Sequence, residues 1–181
     1  KFEAEKYLYQ RRENLNYVWM DRPFWCEEES YHRIFQRVKA ESDYETINPN
    51  DFVLHGFAVD EGVKRNKGRV GAEEAPNIIR KNMSNFPVIN SGFSLRDFGN
   101  IKCENNDLEA TQNSLAEKVS KVLSKQGKSV VLGGGHEVTF AHYSGIKKAF
   151  PNQKVGIINF DAHFDNREPE NGLASSGTGF W

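Results

Sequence analysis

The sequence predicts an α/β fold with parallel strands, and three stretches carry that prediction. Residues 129–160 read as strand, glycine loop, helix and strand, a spacing that makes a crossover and sets both strands parallel in one sheet. Phe52 to Val59 is a short apolar run, as expected of a strand buried on both faces. Leu108 to Lys125 is amphipathic at the helical period, with Leu108, Leu115, Val119, Val122 and Leu123 forming the stripe.

Each element follows from local signals. Residues 1–50 are dense in aromatics and charges and read as an amino-terminal packing segment, with the main domain over 51–181. A helix is predicted from Tyr31 to Ala40, because Ile34, Phe35 and Val38 share a face. Trp19, Phe24 and Trp25 are expected in core or subunit packing. After the strand at 52–59, Asp60 to Gly71 is polar and glycine-punctuated, so it reads as a loop. Glu73 to Met83 reads as a helix, with Pro76 tolerable in its first turn. Phe93 to Ile101 reads as a strand ending near Gly99. Gly127 is the stop signal of the long helix. Ser129 to Leu132 is the next strand, Glu137 to Phe150 a helix ended by Pro151, and Val155 to Phe160 the strand that closes the crossover. Residues 168–179 read as loop.

The composition narrows the function classes. Apolar residues at 38 % and charged residues at 27 % fit a globular chain and not a disordered one. A formal net charge of −1 gives no electrostatic reason to expect nucleic acid or an anionic membrane as partner. No apolar run approaches the ~20 residues of a membrane span. Cys26 and Cys103 are too few for a disulfide framework, so they read as reduced thiols of a cytoplasmic protein. The chain opens on Lys1 without a signal-peptide hydrophobic region, and because it lacks an initiator Met its front is expected to be already trimmed.

Ligand sites in open α/β sheets form beyond the carboxyl edge of the strands. Two polar motifs fall there: Gly133-Gly134-Gly135-His136-Glu137 and Asp161-Ala162-His163-Phe164-Asp165. In an extended chain alternate side chains share a face, so Asp161, His163 and Asp165 converge while Ala162 and Phe164 turn into the core. Two carboxylates and an imidazole, joined by His136, suit a divalent cation, and without one the carboxylates would repel. The glycines are not a phosphate loop, since no Lys-Ser/Thr follows them. His32, His55 and His142 are assigned no catalytic role, and His55 is expected as a hydrogen-bonded core residue.

These two motifs, in this order, resemble the paired metal motifs of the ureohydrolases: arginases, agmatinases and formimidoylglutamases. The loop Gly62 to Ala72, with Asn66, Gly68 and Arg69, and the Pro76 and Ile79-Arg80 of the following helix are similar to the same family, so the likeness covers about 52–181. The resemblance implies a three-layer αβα sandwich around a mainly parallel sheet, arginase/deacetylase-like, of which this chain is the amino-terminal, truncated portion. It implies two manganese ions, with His136 and Asp165 on one, His163 on the other and Asp161 bridging. The catalytic group would be the metal-bridging hydroxide and no further side chain.

Details within the resemblance point toward a formimidoylglutamase. Gly135 stands where arginases carry Asp, Arg167 where they carry Asn, and Phe180 where they carry a proton-shuttling His. Ser176-Gly177-Thr178-Gly179-Phe180 is similar to a formimidoylglutamase loop. Arg167 suits a glutamate carboxylate, and Asn66 and Ser176 join it as substrate-binding candidates, although Ser176 and Thr178 also suit ordinary loop hydrogen bonding. The implied reaction is hydrolysis of N-formimidoyl-L-glutamate to L-glutamate and formamide, a step of histidine breakdown, in a homo-oligomer. The rivals are an agmatinase, guanidinobutyrase or arginase, or a non-catalytic protein of this fold. The family's further Ser-x-Asp-x-Asp motif is absent from the sequence, so this stretch alone is expected to bind metal poorly and to be inactive.

Overall fold

Among the described residues four parallel strands form one sheet, and helices cover both of its faces. The computed structural model describes residues 32–89, 92 and 94–180. Trp19, Phe24, Trp25 and Cys26 lie outside them. In chain order the elements are α1 (Ile34–Arg37), β1 (Lys39–Ala40), β2 (Phe52–Ala58), α2 (Glu61–Arg65), α3 (Ala75–Met83), β3 (Leu95–Lys102), α4 (Leu108–Ser124), β4 (Lys128–Leu132) and α5 (Val138–Ala149). The strands lie in the order β1, β3, β2, β4.

Alternation along β2 separates the two cores. Leu54, with Leu95 and Leu132, packs against Ile34, Phe35 and Val38 of the α1 region and Ile79 and Met83 of α3. Val53 and Phe57 face the other way, onto Val119, Leu115 and Val122 of α4 and Ala141 of α5. This is the three-layer arrangement, with α1 and α3 on one face and α4 and α5 on the other. Each fully buried Leu or Val of the α4 stripe contributes on the order of 1.5–3 kcal/mol. Asp107 caps that helix by accepting from the Ala110 N–H at 2.9 Å. At its far end Gln126 takes the left-handed conformation (φ 62°), and the Gly127 N–H returns to the Val122 carbonyl at 3.0 Å. The stop signal therefore sits one residue before the glycine.

Several readings are corrected. The helix of residues 31–40 is one turn, α1, followed by the edge strand β1, because the chain straightens to pair with β3 at Lys39–Arg96 and Ala40–Asp97. The loop after β2 contains the short helix α2. A 3-10 turn, Ala72–Glu74, precedes α3. β3 does not stop near Gly99: the positive φ of that glycine (77°) absorbs an irregularity in the pairing, and the strand continues to Lys102.

The largest correction concerns Val155 to Phe160, which forms no strand. A strand that is apolar on both sides needs a paired edge and a covering layer on each face. Neither is present here among the described residues: Ile158 is 84 % exposed and Phe160 98 %. β4 accordingly pairs only with β2 among the described residues. No described helix is long and apolar enough to cross a membrane.

Candidate metal centre

The topology creates a crevice at the carboxyl ends of β2 and β4. β2 leads through α3 to β3 on one side, whereas β4 lies on the other side of β2, so the loops leaving these two neighbours diverge. The loop after β4 is pressed against the end of β2. A side chain at Gly134 would place its Cβ 2.2 Å from the Phe57 carbonyl oxygen, so only glycine permits this approach. The Gly135 N–H donates to the Val59 carbonyl at 2.8 Å. These contacts aim His136 over the crevice.

Three of the four metal-ligand candidates meet there. One ligand atom each from His136, Asp161 and Asp165 lies within 4.8 Å of the others. His136 Nδ1 is 3.1 Å from Asp165 Oδ2, and its Nε2 is 3.7 Å from Asp161 Oδ2. Nδ1 is buried and makes no hydrogen bond despite the carboxylate beside it. A ring nitrogen and a carboxylate oxygen facing each other in this way fit a shared divalent cation, and the donor set of one imidazole and two carboxylates suits a borderline metal.

His163 departs from the expected convergence. Its side chain is 80 % exposed, with Nδ1 3.7 Å from Asp161 Oδ1. Ala162 and Phe164 do not turn into a core either, and Phe164 is 85 % exposed. The cause is local: Asp165 adopts φ 44°, and Asp161 Oδ1 accepts the His163 backbone N–H at 2.9 Å. The motif is a turn, so the alternation of an extended chain does not apply to it. That backbone hydrogen bond also holds the Asp161 carboxyl below the usual carboxylate range, helped by the charges of His136 and His163.

The proposed substrate residues cluster beside this group. Arg167 Nη1 donates to Asn66 Oδ1 at 3.3 Å, and the Arg167 N–H donates to the Gly177 carbonyl at 3.0 Å. Ser176 begins the 3-10 turn Ser176–Thr178. Within it Thr178 is a loop hydrogen-bonder: its hydroxyl donates to the Ser175 carbonyl and accepts from the Ser175 N–H, each at 2.9 Å. Phe180 sets its ring edge-on to His136, with centroids 5.4 Å apart, and its N–H donates to the Asp165 carbonyl. The loop thus closes over the ligand group from one side.

Two contributors escaped the sequence reading. Arg65 donates to Glu61, Glu109, the Ala174 carbonyl and the Asn106 carbonyl, tying α2, α4 and the final loop together. The four-residue spacing of Glu61 and Arg65 was the available signal. Glu137 is fully buried, and burial pushes its carboxyl above the usual range. No sequence signal distinguished it. His55 is, as expected, a hydrogen-bonded core residue, with Nε2 2.7 Å from the Tyr44 hydroxyl.

Comparison with known proteins gives a consistent outcome. Residues 50–181 match the arginase family. The chain is 42 % identical over 168 residues to the formimidoylglutamase of Photorhabdus laumondii, covering 90 % of this chain and 51 % of that protein. The Salmonella arizonae formimidoylglutamase is also 42 % identical, with 90 % and 52 % covered. Among solved structures, formiminoglutamase from Trypanosoma cruzi with Mn2+ superposes with a TM-score of 0.72 at 32 % identity, covering 83 % of this chain and 51 % of that one. The Bacillus subtilis formimidoylglutamase reaches the same TM-score of 0.72 at 18 % identity, covering 89 % and 50 %, which speaks to the fold alone. The chain spans about half the length of the curated relatives it matches.

Proposed function

The chain belongs to the arginase family, and from that premise we propose that the full-length protein is a manganese-dependent hydrolase cleaving the C–N bond of N-formimidoyl-L-glutamate to give L-glutamate and formamide. The observation that carries this reading is the meeting of His136, Asp161 and Asp165 in the β2–β4 crevice, beside the Arg167–Asn66 pair. Divalent cations bound there would acidify a water and so supply a nucleophile at neutral pH. His136 and Asp165 would hold one cation. Asp161 presents Oδ2 toward His136 and Oδ1 toward His163, an orientation suited to bridging. His163 would then serve the second cation. The relatives named formimidoylglutamase support the substrate, and the T. cruzi structure with Mn2+ supports the metal.

The chain's own residues supply binding and orientation. Arg167 offers a planar fork of donors for a substrate carboxylate, and Asn66 Oδ1 accepts from one of its Nη groups. Ser176, at the start of the adjacent turn, is a further hydroxyl for the same substrate. Phe180 carries no titratable proton, so proton transfer by a side chain at this position is not part of the reaction.

An assay of the full-length protein with Mn2+ on N-formimidoyl-L-glutamate, arginine, agmatine and guanidinobutyrate tests the reading. Formamide release from the first substrate should dominate, and preferential turnover of arginine would overturn the assignment. Arg167→Met should lower kcat/KM for N-formimidoyl-L-glutamate roughly 10- to 100-fold, the loss expected for a charged hydrogen-bonding partner. An unchanged value would remove Arg167 from the substrate site.

A further inference from the structure

Glu137 follows His136 and occupies the N-cap position of α5, yet its side chain does not cap that helix. The carboxylate turns away and reaches α2, where Oε1 accepts the Gly62 N–H at 3.0 Å. Gly62 lies in the first turn of α2, where backbone N–H groups have no partner inside the helix. Asp60, the residue placed to cap α2, makes no side-chain cap. Glu137 therefore supplies the cap from a loop 75 residues away in sequence. Its own backbone is fixed by Gln112, whose Nε2 donates to the Glu137 carbonyl at 2.9 Å.

The space around this carboxylate explains two glycines. A Cβ at Gly62 would lie 2.3 Å from the Glu137 carboxyl carbon, and one at Gly135 would lie 2.1 Å from its Oε2. Neither glycine has a positive φ, so the backbone conformation at both positions is open to other residues, and the nearest atoms a Cβ would meet are those of the Glu137 carboxylate. Residues 62, 135 and 137 thus form one steric unit. On one side of it stands His136. On the other, α2 runs on to Arg65, which holds the final loop, and to Asn66, which touches Arg167.

We propose that Glu137 is a positioning residue: its buried carboxylate clamps α2 to the loop carrying His136, so the metal ligands and the Arg167 arm are held by one device. The metal part of this statement rests on the reading of His136 as a ligand. The steric part does not.

The test uses the full-length protein and Mn2+, with affinity read from the electron paramagnetic resonance signal of free Mn2+. Glu137→Ala should weaken Mn2+ binding about 10- to 100-fold, as loss of a group that orients a ligand does. Glu137→Gln keeps an oxygen for the Gly62 N–H and should restore affinity to within about threefold, since the cap needs an acceptor more than a charge. A merely structural role would lower the melting temperature of Glu137→Ala while the folded protein kept its affinity, and that result would overturn the proposal. The steric part is read by thermal unfolding without metal. Gly135→Ala should destabilise the protein containing Glu137 and cost little in the Glu137→Ala background. Equal costs in the two backgrounds would refute the clamp. Absence of Mn2+ binding by the unaltered protein would instead refute the metal reading, leaving the steric cycle to judge the clamp.

Discussion

Asp97→Ala should destabilise the protein by about 3–5 kcal/mol, the range for removing one partner of a buried ion pair. Arg80 of α3 and Asp97 of β3 are both fully buried. Arg80 Nε donates to Asp97 Oδ2 at 2.7 Å and Nη2 to Oδ1 at 2.9 Å, a two-pronged contact. Nη1 also donates to Asn100 Oδ1 and Nη2 to the Gly99 carbonyl, both neutral acceptors. Asp97 Oδ1 also accepts the Gly99 N–H at 2.9 Å, which anchors the irregular point of β3. Removing the carboxylate takes a two-pronged charged partner from a buried cation and frees that point together. Against a typical domain stability of roughly 5–15 kcal/mol this is a large fraction. Urea unfolding should show the midpoint falling by more than ~1 M with little change in slope. The paired replacement Arg80→Met with Asp97→Leu should be far less harmful than either single change, because it removes both charges at once. A loss under about 1 kcal/mol for Asp97→Ala would mean that the pair is effectively solvated, contrary to its burial.

The same contrast between local and distant causes explains what could be read from the sequence. α4 was legible because its burial follows a helical periodicity visible inside the segment, and β2 and β4 because each is a short apolar run with its own stop signals. α2 was not. Glu61-Gly62-Val63-Lys64-Arg65 has no apolar stripe, and apart from the Arg65–Glu61 pair it is held by Glu137 and by the contacts of Arg65 with Glu109, Asn106 and Ala174, which come from far along the chain. Val155 to Phe160 failed in the opposite direction. Its composition is that of an interior strand, but membership of a sheet depends on partners and cover that a local pattern does not specify.

At the site, the order of the two motifs, each after an apolar run read as a strand, brought His136, Asp161 and Asp165 into view. The spacing by twos assumed an extended chain. The positive φ of Asp165 and the Asp161–His163 backbone hydrogen bond replace it with a turn, which sends His163 outward. Arg167, Asn66 and the 176–180 loop were recognised through family likeness, and the structure brings the first two into contact. Glu137 stood in the first motif without a role, because its part lies in contacts with Gly62 and Gly135 that the sequence does not show.

Acid should test the same face of the sheet that carries α4, through His55. This residue of β2 is fully buried, stacked beside Tyr44 and next to Phe98. Burial lowers its pKa from 6.5 to about 3, and the positive charges of Lys118, His142 and Arg80 act in the same direction. The fold therefore holds the imidazole neutral, whereas the unfolded chain takes up a proton near pH 6.5. Between those two values the unfolded state binds more protons, so stability falls as pH falls through this window and levels off below the folded pKa. The loss attributable to His55 is negligible at pH 7, about 2 kcal/mol at pH 5 and about 4 kcal/mol near pH 3. Other groups also titrate there, and His142 is itself lowered by burial, so the measurement has to be differential. Urea unfolding of the unaltered protein and of His55→Gln at pH 7 and pH 5 isolates the term, because shared titrations cancel. The variant is expected to start less stable at pH 7, having lost the 2.7 Å contact with the Tyr44 hydroxyl in its native geometry. The gap between the two proteins should then shrink by about 2 kcal/mol on going to pH 5. Parallel pH profiles would mean that water or a counter-charge reaches the imidazole, and that the Tyr44–His55–Phe98 cluster is not the dry core its packing describes.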